Sequence, residues 1–205
     1  MKRDSRNTPL AIAITGIGGI FPGADNLEAF WQMITEARSA SEIVPEGRWP
    51  EPAESYHDTK VGAPDKVLSP NNCSIKHIPQ NYEGINLSRS FIDSLDPLYQ
   101  IALQAGRDAF KDSVSKNLDL SRVPVIIANI VLPTDSTSKI TRNLNMQILK
   151  GIANGKAPTL QELFSDNAYN RYSAELPAGL LAAGLGLGGG CYTLDAACAS
   201  SLYAI

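Results

Sequence analysis

Near the end of the chain, Tyr192-Thr193-Leu194-Asp195-Ala196-Ala197-Cys198-Ala199-Ser200-Ser201 sets one thiol among small residues. Tyr192 to Asp195 has strand character, and from Ala199 onward the residues suit a helix. Cys198 therefore falls at a sharp strand-to-helix turn, where alanines let the backbone bend tightly and leave the thiol at the tip. A helix beginning there would favour thiolate over thiol through its dipole. Its first free amides, that of Cys198 included, would donate to an oxyanion. Together these features predict acyl transfer through a thioester.

Other reactive types read more quietly. Cysteine is among the most buried residue types, and Cys191, entering a strand, is expected in the core. Cys73 and His77 have no second pair to complete a metal site, so no metal is expected. Asp195, at a strand end, reads as a hydrogen-bonding anchor rather than a general base. Ser200 and Ser201 lack a Gly-x-Ser-x-Gly frame and are expected to bond nearby backbone. Gly16-Ile17-Gly18-Gly19 follows a strand-like run, but a dinucleotide fingerprint needs glycine where Phe21 stands, and Pro22 interrupts the helix start. A structural turn is the better reading, its glycines allowing positive φ and close approach.

The elements that must position Cys198 come next. Residues 10–14 read as a buried strand, apolar on both faces. Asp25-Asn26-Leu27-Glu28 has the spacing of a capping box, and Leu27, Phe30, Trp31 and Ile34 follow as one helical face. Residues 39–90 hold prolines at 45, 50, 52, 64, 70 and 79, so an ordered irregular excursion is expected. Asp96-Pro97 begins a helix lined by Leu98, Ile101, Ala102, Ala105 and Ala109 and ending near Asp112. Residues 123–128 form a second buried strand, with Pro124 admissible only near its start. Ile140, Leu144 and Ile148 mark one further helix, and residues 173–185 another. The alternation predicts an α/β fold with a mostly parallel core sheet, and the absence of repeats and linkers predicts one domain over residues 1–205.

Composition narrows the function. The 205 residues carry a net charge of −3, with 43% hydrophobic and 19% charged side chains, as in a globular protein. No cluster of Lys and Arg offers a footprint for nucleic acid. Residues 176–187 are too short, and too interrupted by Pro177 and glycines, for a membrane span. The charged N-terminus leads into no signal-peptide core, and three cysteines without framework spacing suggest reduced thiols in the cytoplasm.

Four motifs in order give a resemblance. Asp195-Ala196-Ala197-Cys198-Ala199-Ser200-Ser201 resembles the Asp-Thr-Ala-Cys-Ser-Ser-Ser signature of β-ketoacyl synthases. Ile12-Ala13-Ile14-Thr15-Gly16-Ile17-Gly18-Gly19-Ile20-Phe21-Pro22-Gly23-Ala24, followed by Phe30-Trp31, resembles the opening of these domains in multifunctional synthases. Ile43-Val44-Pro45-Glu46-Gly47-Arg48-Trp49 is similar to the Val-Pro-x-x-Arg-Trp segment, and Leu95-Asp96-Pro97-Leu98-Tyr99 stands where Met-Asp-Pro-Gln-Gln is common. Ala196 and Ala199 depart from the signature, and Gly188-Gly189-Gly190 stands where Gly-Pro is frequent.

The resemblance implies the N-terminal half of a thiolase-like αβαβα layered fold, incomplete just after the active-site cysteine. It implies that Cys198 accepts an acyl chain from the phosphopantetheine of an acyl carrier protein, with no bound cofactor, before decarboxylative condensation with a malonyl unit. Fatty-acid or polyketide synthesis fits, and the loop pattern with Leu95-Asp96-Pro97-Leu98-Tyr99 resembles the polyunsaturated-fatty-acid or polyketide-like lipid type. It further implies a homodimer joined through residues 192–194. The two histidines and lysine of the second step have no counterpart here, since His57 and His77 lie in the irregular segment. A non-catalytic interaction module and another thiolase-fold enzyme are the competing readings.

Overall fold

A computed structural model describes residues 12–49, 51–113, 117–130, 132–155 and 168–205. In chain order its elements are α1 (Leu27–Thr35), β1 (Glu42–Ile43), β2 (Asn71–Asn72), α2 (Arg89–Asp93), α3 (Pro97–Asp112), β3 (Val125–Ala128), α4 (Asp135–Asn154), α5 (Leu176–Leu185), β4 (Cys191–Leu194) and α6 (Ser200–Ala204). β3 and β4 pair in parallel, Val125 opposite Cys191 and Ala128 opposite Leu194. β1 and β2 form a small antiparallel ribbon. The architecture is α/β, as the alternation predicts.

α3 and α5 form the centre. Asp96 caps α3, its Oδ1 accepting from the Leu98 amide at 3.0 Å, and Pro97 takes the first turn. The same buried carboxylate accepts from the Ser136 amide at 3.2 Å through Oδ2, so one aspartate holds the starts of both α3 and α4. α5 packs against α3 and against both β3 and β4. It is apolar nearly all round, burying Ala178, Leu180, Leu181 and Ala182, as befits a helix enclosed by other elements. Gly186, left-handed at φ 69°, ends it.

α3 differs from its expected face. Its most buried side chains are Tyr99, Leu103, Gln104 and Arg107, while Leu98, Ile101, Ala102, Ala105 and Ala109 are only partly buried. Two of the buried residues are polar because they pin the irregular segment to the helix. Gln104 Oε1 accepts from the Asn81 amide at 3.1 Å, and Arg107 Nε donates to the Glu83 carbonyl at 2.8 Å.

The opening differs more. Leu10 and Ala11 lie outside the described residues, and residues 12–20 form no strand. Ile12 and Ile14 are 84% and 74% exposed. A buried strand needs a ladder partner, and β3 and β4 pair only with each other among the described strands. The glycine turn that follows lies on α3: a Cβ on Gly16 would come within 2.5 Å of the Ala109 oxygen, and one on Gly18 within 2.5 Å of the Ala109 nitrogen. Neither has positive φ, so close approach alone accounts for these glycines.

α1 also starts one step later than expected. Asn26, not Asp25, is its cap, accepting from the Ala29 amide at 2.8 Å, while Asp25 pairs with His77. Of its apolar residues Met33 is the buried one; Phe30 stacks on Phe21 with ring centres 3.9 Å apart, and Trp31 and Ile34 are exposed. The described residues of 39–90 are the expected irregular excursion, broken by β1, β2, a 3-10 turn at Ala53–Ser55 and the start of α2.

Candidate active site

The elbow is built by the glycines before it. A Cβ on Gly189 would come within 2.5 Å of the Pro124 nitrogen and of the Val123 carbonyl carbon. Gly190 has φ 98°, and its oxygen accepts from the Val125 amide at 2.9 Å. These glycines let the chain run against the segment entering β3 and set β4 in register beside it. β4 then ends at Leu194, and after Asp195 and Ala196 a 3-10 turn, Ala197–Ala199, leads into α6.

Ala197 has φ 50°, a left-handed conformation that costs an L-residue roughly 1–2 kcal/mol. Flanking side chains hold it there. The Ala197 amide donates to Asp195 Oδ1 at 2.9 Å, and its carbonyl accepts from Ser200 Oγ at 2.7 Å. Ser200 Oγ also accepts from the Ala196 amide at 2.9 Å. Asp195 and Ser200 thus bond nearby backbone, as their positions predict. The following helix is short, five residues of α-helix after the 3-10 turn.

The Cys198 thiol stands exposed at the tip. Cys191 is exposed too, which corrects its expected core position. Among the described residues β4 has only β3 at its side, and α5 presents Gly179 toward Cys191. With no side chain there to cover it, the thiol stays open. Around the elbow Tyr192, Leu202, Tyr203 and Ile205 are exposed as well.

The histidines are engaged elsewhere. His57 Nε2 lies 3.2 Å from the Leu68 oxygen, and His77 Nδ1 lies 3.1 Å from Asp25 Oδ2. Three cavities of about 390, 460 and 370 Å³ are lined by Trp49 and Tyr56, by Phe21 and His77, and by Thr141 and Met146 respectively; Cys198 lines none of the three. Among the described residues no group of three or more His, Cys, Asp or Glu could hold a metal. No described helix is long and apolar enough to cross a membrane.

The left-handed Ala197 and the double grip of Ser200 were not legible as such. Serine two places after a cysteine is a local signal, but nothing in the sequence says which backbone groups a first-turn hydroxyl will reach. The shared cap at Asp96 was half legible, because its second helix is 40 residues away.

Comparison with known proteins supplies the frame for this elbow. The β-ketoacyl synthase, N-terminal domain, matches residues 10–205. The non-reducing polyketide synthase stmB of Aspergillus ustus is 25% identical over 98% of this chain, and polyketide synthase PksL of Bacillus subtilis is 31% identical over 50% of it. The chain spans 9% and 2% of those two proteins. Among solved structures, the PfaC keto synthase-chain length factor superposes with a TM-score of 0.78 at 28% identity, over 93% of this chain and 21% of that one. The oxazolomycin ketosynthase domain OzmH KS7 of Streptomyces albus shares the fold, with a TM-score of 0.59 at 22% identity, over 93% of this chain and 30% of that one. The layered fold is therefore thiolase-like, of which this chain is the N-terminal half. With the elbow in the place where its motif predicts it, the chain belongs to the β-ketoacyl synthase N-terminal domain family.

Proposed function

We propose that residues 1–205 form one incomplete synthase domain in which Cys198 is the acyl-accepting nucleophile. The observation that carries this is the exposed thiol at the tip of a side-chain-held turn, within a chain matched to the synthase family over residues 10–205. The thiolate attacks the carbonyl of an acyl thioester carried on the phosphopantetheine of an acyl carrier protein. The carrier's thiolate leaves and takes up a proton, and the acyl group stays on Cys198. A malonyl thioester then loses carbon dioxide, and its carbanion attacks the acyl carbon, releasing the Cys198 thiolate and a chain two carbons longer. This chain supplies the nucleophile. His57 lies against the Leu68 carbonyl and His77 against Asp25; the family resemblance places the two histidines and the lysine of the second step in other parts of a complete synthase.

Polyketide assembly is the setting that the named relatives favour. Cytoplasmic residence and pairing of two copies through β4 belong to the same reading. The exposed Tyr192 on β4 supports the pairing, because β4 has a partner on one edge only among the described strands. In the complete synthase, with carrier-bound acyl and malonyl substrates, Cys198→Ala is expected to lower β-ketoacyl formation at least about a thousandfold, the scale of losing a covalent nucleophile. Condensation that continues within tenfold of the unmodified protein sinks the reading.

A further inference from the structure

We propose that Ser200 is a positioning residue for acyl transfer, latching the elbow so that Cys198 faces the incoming thioester; the inference rests on Cys198 being the nucleophile. Ser200 is 5% exposed in a region where Cys198, Ala197 and Ser201 are all open. Its hydroxyl uses both of its capacities on the two residues that precede the cysteine. It accepts from the Ala196 amide at 2.9 Å and donates to the Ala197 carbonyl at 2.7 Å.

Ala197 is the residue that most needs holding. It is an alanine at φ 50°, where glycine is the usual occupant. Its amide is fixed by Asp195 Oδ1 and its carbonyl by Ser200 Oγ. With both ends of the residue tied from opposite sides, the peptide plane leading into Cys198 has one orientation. Without the Ser200 hydroxyl, the Ala197 carbonyl and the Ala196 amide lose that shared partner. Ala197 is then free to relax out of the left-handed region, which turns the Cα–Cβ bond of Cys198 away. Misplacing a reacting atom by about 1 Å can cost on the order of 100-fold in rate.

The test compares Ser200→Ala, Ser200→Thr and Ser201→Ala in the intact protein. Two quantities are measured: acyl loading from an acyl-phosphopantetheine thioester, and the rates of iodoacetamide alkylation at Cys73, Cys191 and Cys198 between pH 6 and 9, by peptide mass. The three thiols are all exposed, so Cys73 and Cys191 serve as references for any change that acts on every thiol alike. Ser200→Ala is expected to lower acyl loading roughly tenfold and to change the Cys198 alkylation profile, with Cys73 and Cys191 unchanged. Ser200→Thr, which keeps the hydroxyl, is expected to restore loading, and Ser201→Ala to behave as the unmodified protein. Three results overturn the latch: a Ser200→Ala variant that loads and alkylates normally, a change shared by all three cysteines, or a threonine variant as impaired as the alanine one. Acyl groups found on a cysteine other than Cys198 in the unmodified protein overturn the nucleophile reading instead.

Discussion

Tyr99 is fully buried at the centre of the fold, and its hydroxyl donates to the Tyr169 carbonyl at 2.8 Å. Burial first, and the neighbouring Asp96 charge second, push its phenol up to about 12. A folded-state value above the unfolded one means that the neutral ring stabilises the fold fully below pH 10. That contribution is lost as pH rises toward 12. Two units correspond to about 2.7 kcal/mol at most. Urea unfolding at pH 8 and pH 11 should show a larger loss for the unmodified protein than for Tyr99→Phe; equal losses contradict this.

At the same scale, the strand-to-helix turn that carries Cys198 was legible because small residues and a change of element are local properties of the sequence. The exposure of Cys191 was not, because it depends on Gly179 in another element. Tyr99 was hidden for a related reason: periodicity placed Leu98 on the inner face, whereas the segments packed from both sides bury Tyr99 and Leu103 completely.

Elements were legible where their signals are local. Asp96-Pro97 fixes the start of α3 because capping needs only the next turn. Residues 10–14 misled because an apolar run states a need for burial without naming the partner that meets it. The glycine turn shows how an element is placed by contact. Gly18→Ala would drive a Cβ to 2.5 Å from the Ala109 nitrogen and 2.6 Å from the Ala105 oxygen, both backbone atoms that cannot move singly. It is expected to cost about 1–3 kcal/mol in urea unfolding; a midpoint unchanged from the unmodified protein would contradict the packing. Leu103→Ala, opening a void in the core cluster that joins α3 to α5, should cost about 2–5 kcal/mol by the same measurement. A cost under 1 kcal/mol would show that α3 and α5 do not share one tight core.

The molecule as a whole leaves much apolar surface open. α4 buries none of its described side chains, and Met146, Leu149 and Ile152 are exposed on it. Trp31 and Ile34 on α1 and Tyr192 on β4 are exposed too. Surfaces of this kind mark association in complete proteins.

The β4 edge makes the most specific case. Gly190 and Leu194 bond toward β3 through Val125 and Asn129. In a parallel ladder the alternate residues, Cys191 and Thr193, turn their amides to the outer edge. Thr193→Pro removes one outer donor and leaves the β3 ladder intact. If β4 joins two copies, sedimentation should show the intact protein shifting from dimer toward monomer; an unchanged dimer would contradict pairing through this edge. Fold class was legible from the alternation of elements, but the extent of open surface was not, because exposure depends on which segments lie alongside.

The most direct test of the account locates the acyl group. The intact protein is incubated with an acyl-phosphopantetheine thioester, digested at low pH and mapped by peptide mass. A single acyl adduct is expected on the peptide holding Cys198, absent in Cys198→Ala, with Cys73 and Cys191 unmodified. An adduct on either of those exposed cysteines, or none on Cys198, would contradict it.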